Sequence, residues 1–353
     1  MLRKISISLG AILCLIQAKA QDSAAAASPK PTVSGSVDVY YRFNFANPKS
    51  GATNNVTSFT NSQNSFELGM ATVKIDHSFG KASATADLGF GRRAQEFSYN
   101  DGATNGFISL ANVKQLYVSY AVSDKFKLTM GKWATHIGYE LVDAYANRNY
   151  SMSYMFTYGP FFHTGLKADI SLGGKSALMV GIANPTDYST TTSSSKFIIA
   201  QFSTGSKNDK VKAFLNFQSG KYAIGSTLTQ FDLVVTGTVT DKFSIGYNGT
   251  VQSRNPAYGS SNSWWGSAIY LNVDPTSKFG LTLRGEYFDD TKKVIGANTS
   301  IFATTLSANF KVSKLTIIPE LRLDDSKDEI FLKNDNSTTK STGTFLLAAV
   351  YTF

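Results

Sequence analysis

Three histidines, His77, His136 and His163, are the side chains that could serve as a general base near neutral pH. His136 and His163 flank a long polar connection that also contains Asp143. A serine nucleophile would need such a base together with a GxSxG-like context, and the sequence contains none. Histidines at strand ends usually form hydrogen bonds within the wall of a sheet. We therefore predict that the protein is not an enzyme; an enzyme that uses one of these histidines is the alternative.

Metal chemistry has equally little support in the sequence. There is no HExxH motif, no paired histidines and no calcium-loop spacing. The densest acidic groups, Asp289 with Asp290 and Asp324 with Asp325, suit hydrated external loops, where a Ca²⁺ bridge to lipopolysaccharide stays an open hypothesis. The single cysteine, Cys14, lies near the N-terminus. We predict no cofactor and no metal site in the protein itself.

One long connection, residues 138–162, combines charges with aromatic surface. Its aromatic residues are Tyr139, Tyr145, Tyr150, Tyr154, Phe156, Tyr158, Phe161 and Phe162. A loop that only extended into solvent would not need so much apolar surface, so we expect it to pack. If it enters a lumen, its charges would act in a narrow, water-poor passage. The predicted pore constriction comprises Glu140, Asp143, Arg148, Tyr145, Tyr150 and Tyr154. Capping of the mouth and packing on a neighbouring protomer are the alternatives.

Charged residues also recur on the polar face of several extended stretches. They are Asp38, Arg42, Lys167, Arg284, Glu286, Lys311, Glu320 and Arg322. Arg or Lys facing lipid at mid-depth costs about 2–4 kcal/mol, so we expect these side chains to line an aqueous lumen. They would form a charge ladder that orients ions, or salt bridges that simply fill a polar interior. With Lys212 they make the lumen slightly basic, which predicts a weak anion preference.

The stretches that carry these charges alternate polar and apolar residues. In residues 32–45, for example, Val37 and Val39 share one face while Asp38 and Arg42 share the other. A period of two predicts β-strands. No comparable helical stripe occurs, and after residue 20 no run of eighteen apolar residues is long enough for a spanning helix. The predicted fold class is therefore all-β.

Short turns and long polar connections alternate along the whole chain. Seven short turns occur, and the eight long connections lie near residues 46–64, 92–106, 138–162, 185–195, 219–226, 253–262, 289–299 and 324–341. They delimit about sixteen strands. An even strand number with short periplasmic turns and long external loops is typical of outer-membrane barrels, whereas a sandwich distributes long loops over both ends. The sequence therefore predicts a closed antiparallel transmembrane β-barrel.

Aromatic residues near the ends of the predicted strands suit the girdles that flank a membrane barrel. Trp133, Trp264 and Trp265 are among those expected on the lipid-facing side. Basic residues are scattered, although the net charge is +9, so we expect no nucleic-acid partner.

The N-terminal segment has the features of a secretory signal peptide. Arg3 and Lys4 precede an apolar run that ends before Ala18-Lys19-Ala20. This order predicts cleavage near Ala20 and export. The predicted organisation is a signal peptide over residues 1–20, a flexible linker over 21–31 and an outer-membrane barrel over 32–353.

The last ten residues, TFLLAAVYTF, alternate like a strand and place Tyr351 and Phe353 on the apolar face. This ending resembles the closing strand of bacterial outer-membrane barrels, in which a terminal Phe is the assembly signal. The resemblance implies that Tyr351 and Phe353 are recognised by the barrel-assembly machinery.

Several segments resemble one known family. They are GKWATHIGYE (131–140), NYSMSYMFTYGPFFHTGLK (149–167), LRGEYFDD (283–290), PELRLDD (319–325) and the terminal VYTF. They are similar to the OmpL-like β-barrel porins of Gram-negative bacteria, many from Bacteroidetes. The resemblance implies a 16-stranded outer-membrane barrel that passes small solutes. In general porins the third external loop folds into the lumen, and the connection at 138–162 has the same ordinal position.

The sequence thus predicts a porin for passive diffusion of small hydrophilic solutes. Expected partners are outer-membrane lipid and lipopolysaccharide, the barrel-assembly machinery, the solutes and two further copies in a homotrimer. The main alternative is a substrate-selective channel for an oligosaccharide or phosphate, in which loop aromatics form a stacking track. A structural or adhesive barrel is a third class.

Overall fold

The structure is a computed structural model that describes residues 29–353, except Ser50, residues 103–109 and Ile224. The predicted signal peptide with its cleavage near Ala20, and most of the predicted linker, lie outside the described residues.

Sixteen antiparallel strands close into one barrel, as predicted. Their bounds are β1 (Thr32–Asn44), β2 (Ser65–Phe79), β3 (Ala82–Phe90), β4 (Val113–Ser123), β5 (Phe126–Ala134), β6 (Phe162–Gly173), β7 (Ser176–Ala183), β8 (Phe197–Gly205), β9 (Val211–Ala223), β10 (Ser226–Thr240), β11 (Phe243–Asn255), β12 (Asn262–Thr276), β13 (Phe279–Asp289), β14 (Ser300–Val312) and β15 (Leu315–Ser326). Outside the barrel, β16 (Phe331–Leu332) and β17 (Thr338–Thr339) form a small hairpin. The last barrel strand, β18 (Ser341–Thr352), pairs with both β15 and β1. Closure leaves no unpaired strand edge facing lipid.

The seam between β1 and β18 uses the predicted last strand. Val37 pairs with Tyr351 in its register. Beyond the strand end, the Gly35 N–H donates to the Phe353 carbonyl at 3.1 Å, and the Phe353 N–H donates to the Gly35 carbonyl at 3.0 Å. A Cβ on Gly35 would lie 2.5 Å from the Phe353 ring, so only glycine allows this approach. Tyr351 and Phe353 are exposed on the outer face, as their alternation predicted.

The connections segregate by length. Seven turns of two to five residues, 80–81, 124–125, 174–175, 206–210, 241–242, 277–278 and 313–314, lie at one end, which we call the turn end. The other eight connections lie at the opposite end, the loop end; seven of them have six or more residues, whereas the one between β9 and β10 has two. One predicted long connection, 219–226, is wrong. β9 and β10 continue through it, because Ser219 and Thr229 pair and share a hydroxyl hydrogen bond of 2.8 Å.

Helical structure is confined to the connections. α1 (Arg92–Phe97) follows β3, and α2 (Tyr154–Tyr158) precedes β6. The Ser153 hydroxyl caps α2 by accepting the Phe156 N–H at 3.1 Å. No helix among the described residues is long and apolar enough to cross a bilayer.

Two tryptophans expected on the lipid face point inward instead. Trp264 and Trp265 are neighbours on β12, so they must face opposite sides. Trp265 is 43% exposed, whereas Trp264 is fully buried and donates its indole N–H to Gln252 at 3.1 Å. Trp133 differs in strand parity from the outward Phe126 and is buried in an interior cluster. These two predictions are wrong.

Candidate functional site

The connection between β5 and β6, residues 135–161, runs across the inside of the barrel and is called here the inner loop. Near its start, the Gly138 N–H donates to Asp232 on β10 at 3.0 Å. The Tyr139 N–H donates to Asn248 on β11 at 3.3 Å, and its ring stacks on Tyr270 of β12 at 4.1 Å. All three wall residues point inward and are buried. The loop therefore lies against the inner wall.

A buried ion pair ties the inner loop to β13. Arg284 donates to Glu140 at 2.6 Å, and the side chains of both residues are almost fully buried. The Tyr270 hydroxyl donates to the same carboxylate at 3.2 Å. The second oxygen of Glu140 accepts the Ser153 N–H at 2.7 Å, which links the two limbs of the loop. Charge-assisted bonds of this kind are the strong ones in a water-poor interior.

Charged side chains of the barrel wall also form hydrogen bonds with the backbone of residues 150–152, which belong to the returning limb of the inner loop, the part that leads back toward β6. Arg284 donates to the Ser151 carbonyl at 2.8 Å, and Arg322 donates to the Met152 carbonyl at 2.7 Å. Glu320 accepts the N–H groups of Tyr150 at 2.8 Å and Ser151 at 3.1 Å. A non-helical backbone at membrane depth needs such partners, because each buried unsatisfied group is costly. The ladder charges therefore bind the inner loop.

Two tyrosines of the same limb donate hydrogen bonds from their hydroxyl groups to carboxylates of the barrel wall. The Tyr150 hydroxyl donates to Asp38 on β1, and the Tyr154 hydroxyl donates to Asp324 on β15 at 2.7 Å. Burial raises the pKa of both phenols well above their usual range, so both remain neutral donors. Further along, the Met155 N–H donates to Glu286 at 3.1 Å.

The tip of the inner loop reaches toward the turn end. Arg148 forms a two-pronged pair with Asp274, with N–O distances of 2.9 and 2.8 Å. Asp143 pairs with Lys114 at 2.6 Å on the other side of the barrel. The side chains of Arg148 and Asp274 are 29% and 35% exposed, and Tyr145 is 52% exposed. The tip is thus the part of the loop in contact with solvent.

The six predicted constriction residues therefore divide into two groups. Glu140, Tyr150 and Tyr154 are buried between the loop and the wall. Asp143, Arg148 and Tyr145 lie at the tip; Arg148 and Tyr145 keep clear contact with solvent, and the Asp143 side chain is 14% exposed. All six lie inside the barrel, but only the second group can border an aqueous passage.

The eight predicted ladder residues also separate. Asp38, Arg284, Glu286, Glu320 and Arg322 meet the inner loop, as described above. Arg42 instead donates to the carbonyls of Thr53 at 2.8 Å and Ser62 at 2.5 Å in the connection after β1. Lys167 is partly buried, 5.4 Å from the Trp133 ring, and Lys311 is exposed near the turn end. Only these two lysines keep appreciable contact with solvent.

Sequence reasoning missed two buried cations that hold the site. Arg93, on α1, donates to the carbonyls of Val142 at 3.1 Å and Tyr150 at 3.3 Å, and stands over the Tyr150 ring. Lys114 pairs with Asp87 and Asp143. It has the parity of outward residues in β4, but the β3–β4 register shifts at Asp87 and turns it inward. No sequence signal announces such a bulge.

The histidines lack a catalytic arrangement among the described residues. The His136 and His163 rings lie 5.0 Å apart. His136 bonds to the Phe217 carbonyl at 3.2 Å, and His163 bonds to the Thr135 hydroxyl at 3.1 Å. Burial lowers the pKa of His136 to about 4, so it is neutral at pH 7. Within the described chain, no group of three or more His, Cys, Asp or Glu residues could hold a metal ion.

Two polar cavities lie on opposite sides of the inner loop. A cavity of about 580 Å³ at the loop end is called here the outer vestibule. It is lined by residues that include Asn61, Glu96, Tyr99, Tyr158, Phe161, Asp187, Gln252 and Arg254. A smaller cavity of about 150 Å³, toward the turn end, is lined by the loop tip together with Asn309 and Lys311.

Three solved structures that are similar to this chain have low sequence identity to it. The anion-selective porin from Comamonas acidovorans is 11% identical, with 92% of this chain and 99% of that chain covered and a TM-score of 0.62. The outer-membrane channel DcaP of Acinetobacter baumannii is 12% identical, with 92% and 97% covered and a TM-score of 0.60. The trimer form of OmpT, an outer-membrane protein of Vibrio cholerae, is 13% identical, with 92% and 99% covered and a TM-score of 0.59. At these identities the likeness concerns the fold alone.

A family model supplies the relationship that these identities cannot. No curated protein sequence matches the chain significantly. The model of the family described as beta-barrel porin-2, OmpL-like, matches residues 30–353, which is the whole predicted barrel. The family and the closed barrel imply residence in the outer membrane. The chain belongs to the OmpL-like beta-barrel porin-2 family of outer-membrane channels.

Proposed function

We propose that the protein is a passive outer-membrane channel for small hydrophilic solutes, with the inner loop as its constriction. One observation carries the proposal: a loop crosses the lumen and is held there by buried ion pairs, of which Glu140 with Arg284 is the most buried. Such anchoring keeps the loop in one position while water and ions pass. The solvent-contacting tip, with Asp143, Tyr145 and Arg148, borders the passage.

A weak anion preference is part of this proposal. Wall charges such as Glu286, Glu320, Arg284 and Arg322 bond to the backbone of the inner loop and are buried, so they have little contact with a solvated passage. Lys167, Lys212 and Lys311 contact solvent on the inner face toward the turn end. An excess of solvated cations in a narrow passage raises the local anion concentration. The similar barrel from Comamonas acidovorans is described as anion-selective.

Passive transport leaves no role for a catalytic group or a cofactor. The hydrogen bonds of His136 and His163 to a carbonyl and a threonine hydroxyl support a structural role for both rings. We also propose a homotrimer, supported by the trimer form of the similar barrel OmpT. Lipopolysaccharide at the loop end and recognition of Phe353 by the assembly machinery complete the proposed partners.

A cysteine at the loop tip tests the constriction. The sole native cysteine, Cys14, lies in the predicted signal peptide, so Tyr145→Cys would give the mature protein one thiol. Modification with a negatively charged thiosulfonate should lower the single-channel conductance and shift selectivity toward cations. Tyr258→Cys is the matched control, because Tyr258 is 94% exposed on an external loop. Complete labelling at position 145 with unchanged current would contradict the proposal.

The second candidate, a substrate-selective channel, is favoured by the outer vestibule. Its lining combines aromatic rings with amides and a guanidinium group, which suits recognition more than bulk flow. Current blockade by one solute class would favour this candidate over a general pore.

A further inference from the structure

We propose that the outer vestibule binds a ring-bearing carboxylate, with Arg254 holding the carboxylate group and aromatic side chains contacting the ring. This inference rests on the proposed function, because it identifies the class of solute that the channel would capture at its loop end.

Arg254 is the group that a carboxylate would meet. It lies near the loop end of β11 with the parity of inward residues, and its Nε donates to Gln252 at 3.0 Å. Its guanidinium carbon lies 5.4 Å from the Tyr222 ring, which supports one face of the fork. Within the described residues, its two terminal nitrogens have no hydrogen-bond partner. A planar, partly buried guanidinium group whose two terminal nitrogens form one free N–H edge matches a carboxylate geometrically.

The two acidic side chains in the lining bond to groups other than Arg254. Glu96 is paired with Arg92 at 3.2 Å and accepts the Phe59 N–H at 2.7 Å. Arg92 also pairs with Glu67 on β2 at 3.5 Å, and Glu96 is thus engaged by partners other than Arg254. Arg254 has no such ion pair among the described residues.

Asp187 is the other acidic residue of the lining, and its carboxylate already bonds to groups of the protein. One oxygen accepts the N–H groups of Phe161 at 2.7 Å and Phe162 at 3.1 Å, and the other accepts the Tyr99 hydroxyl at 3.1 Å. Burial raises the pKa of this carboxyl to about 6, so it stays mostly ionised at pH 7, but both of its oxygens are occupied by these three hydrogen bonds. Among the charged residues of the described lining, Arg254 is thus the one with hydrogen-bonding atoms still open to a ligand.

Aromatic rings line the same cavity as Arg254. Tyr99 is 57% exposed, and its ring is fixed by the bond to Asp187 and by an edge contact with Phe161 at 6.1 Å. Tyr158 is held by stacking on Phe288 at 5.2 Å. Fixed rings give stacking surface at little entropic cost. The cavity volume of about 580 Å³ lies within the roughly 300–1,000 Å³ typical of small-molecule sites.

Two solute types share this chemistry: an aromatic acid such as benzoate and a sugar acid such as galacturonate. Isothermal titration of the purified full-length barrel in detergent should detect binding of at least one, and weaker binding of its neutral counterpart, benzyl alcohol or galactose. Arg254→Gln should weaken binding of the acid about tenfold or more. Lys333→Gln, on the external hairpin, is the matched control and should bind like the wild type. Equal affinity for acid and neutral counterpart, or an unaffected Arg254→Gln variant, would overturn the proposal.

The ring contribution and the channel itself are tested separately. Tyr99→Leu should remove much of the advantage of the ring-bearing acid over acetate, and an unchanged advantage would overturn the aromatic part. Planar-bilayer recordings on the same preparations separate the two proposals. Normal conductance without titratable binding would reject the vestibule site alone, whereas binding without conductance would reject the channel and keep the site.

Discussion

Glu140→Gln is the substitution that tests most directly how the inner loop is anchored to the barrel wall. The change keeps the shape of the side chain and lets it still accept the Ser153 N–H, but it removes the partner charge of Arg284. Both side chains are almost fully buried, so water cannot replace the lost carboxylate. The expected result is weaker anchoring of the loop in an intact barrel.

The size of the effect follows from burial. Removing one partner of a buried ion pair costs about 3–5 kcal/mol, largely because the other charge is left uncompensated. At about 1.4 kcal/mol per factor of ten, the population with a detached loop should rise by about two to three orders of magnitude. The pair of Arg148 with Asp274 is about one third exposed and contributes at most about 1 kcal/mol. Arg148→Gln should therefore raise the population with a detached loop by less than about tenfold.

Single-channel recording is the assay for this difference. A detached loop should appear as transient steps to higher conductance, far more frequent in Glu140→Gln than in Arg148→Gln. Adding Arg284→Gln to Glu140→Gln removes the unpaired charge. The double variant should therefore show fewer steps to higher conductance than Glu140→Gln alone. Equal step frequencies in the two single variants would refute the assignment of this ion pair as the principal anchor.

Three further predictions concern selectivity, assembly and pH. The double variant Lys167→Glu with Lys311→Glu should shift the reversal potential in a KCl gradient toward cation preference, and an unchanged potential would dissociate these lysines from selectivity. Gly35→Val should displace the Phe353 ring and lower the outer-membrane yield, as should deletion of Phe353; full yield from both would count against the seam as an assembly element. Burial raises the pKa of Asp187 from 3.8 to about 6, so the folded protein binds the proton more tightly than the unfolded chain. Stability should therefore fall as the pH rises from 4 to above 6, and Asp187→Asn should flatten that part of the thermal-melting profile; a wild-type profile without this slope would contradict the shift.

The barrel could be predicted because its rules are local. Period-two alternation defines the strands, and the positions of turns and polar connections define their number and direction, even though the connection predicted at 219–226 is a tight turn. The outward exposure of Tyr351 and Phe353 follows from strand parity alone. The same arithmetic, applied strictly, would have turned Trp264 inward beside Trp265, since neighbours on a strand cannot share a face.

The contacts of the inner loop were not predictable in this way. The loop bonds to wall residues up to 170 positions away, such as Tyr150 to Glu320, and no local pattern encodes that pairing. The inward turn of Lys114 depends on a register shift, and the role of Arg93 depends on a connection folding inward. Aromatic and charge content predicted that the loop would pack, while its partners required the folded barrel.

The conductance of a single barrel in a planar bilayer tests the central claim most directly, measured for the wild type and for a variant lacking residues 145–158. The wild type should conduct with a weak anion preference, and the deletion should raise the conductance clearly, because the tip and much of the loop that crosses the lumen are gone. A folded deletion variant with wild-type conductance would contradict the claim that the inner loop sets the width of the channel.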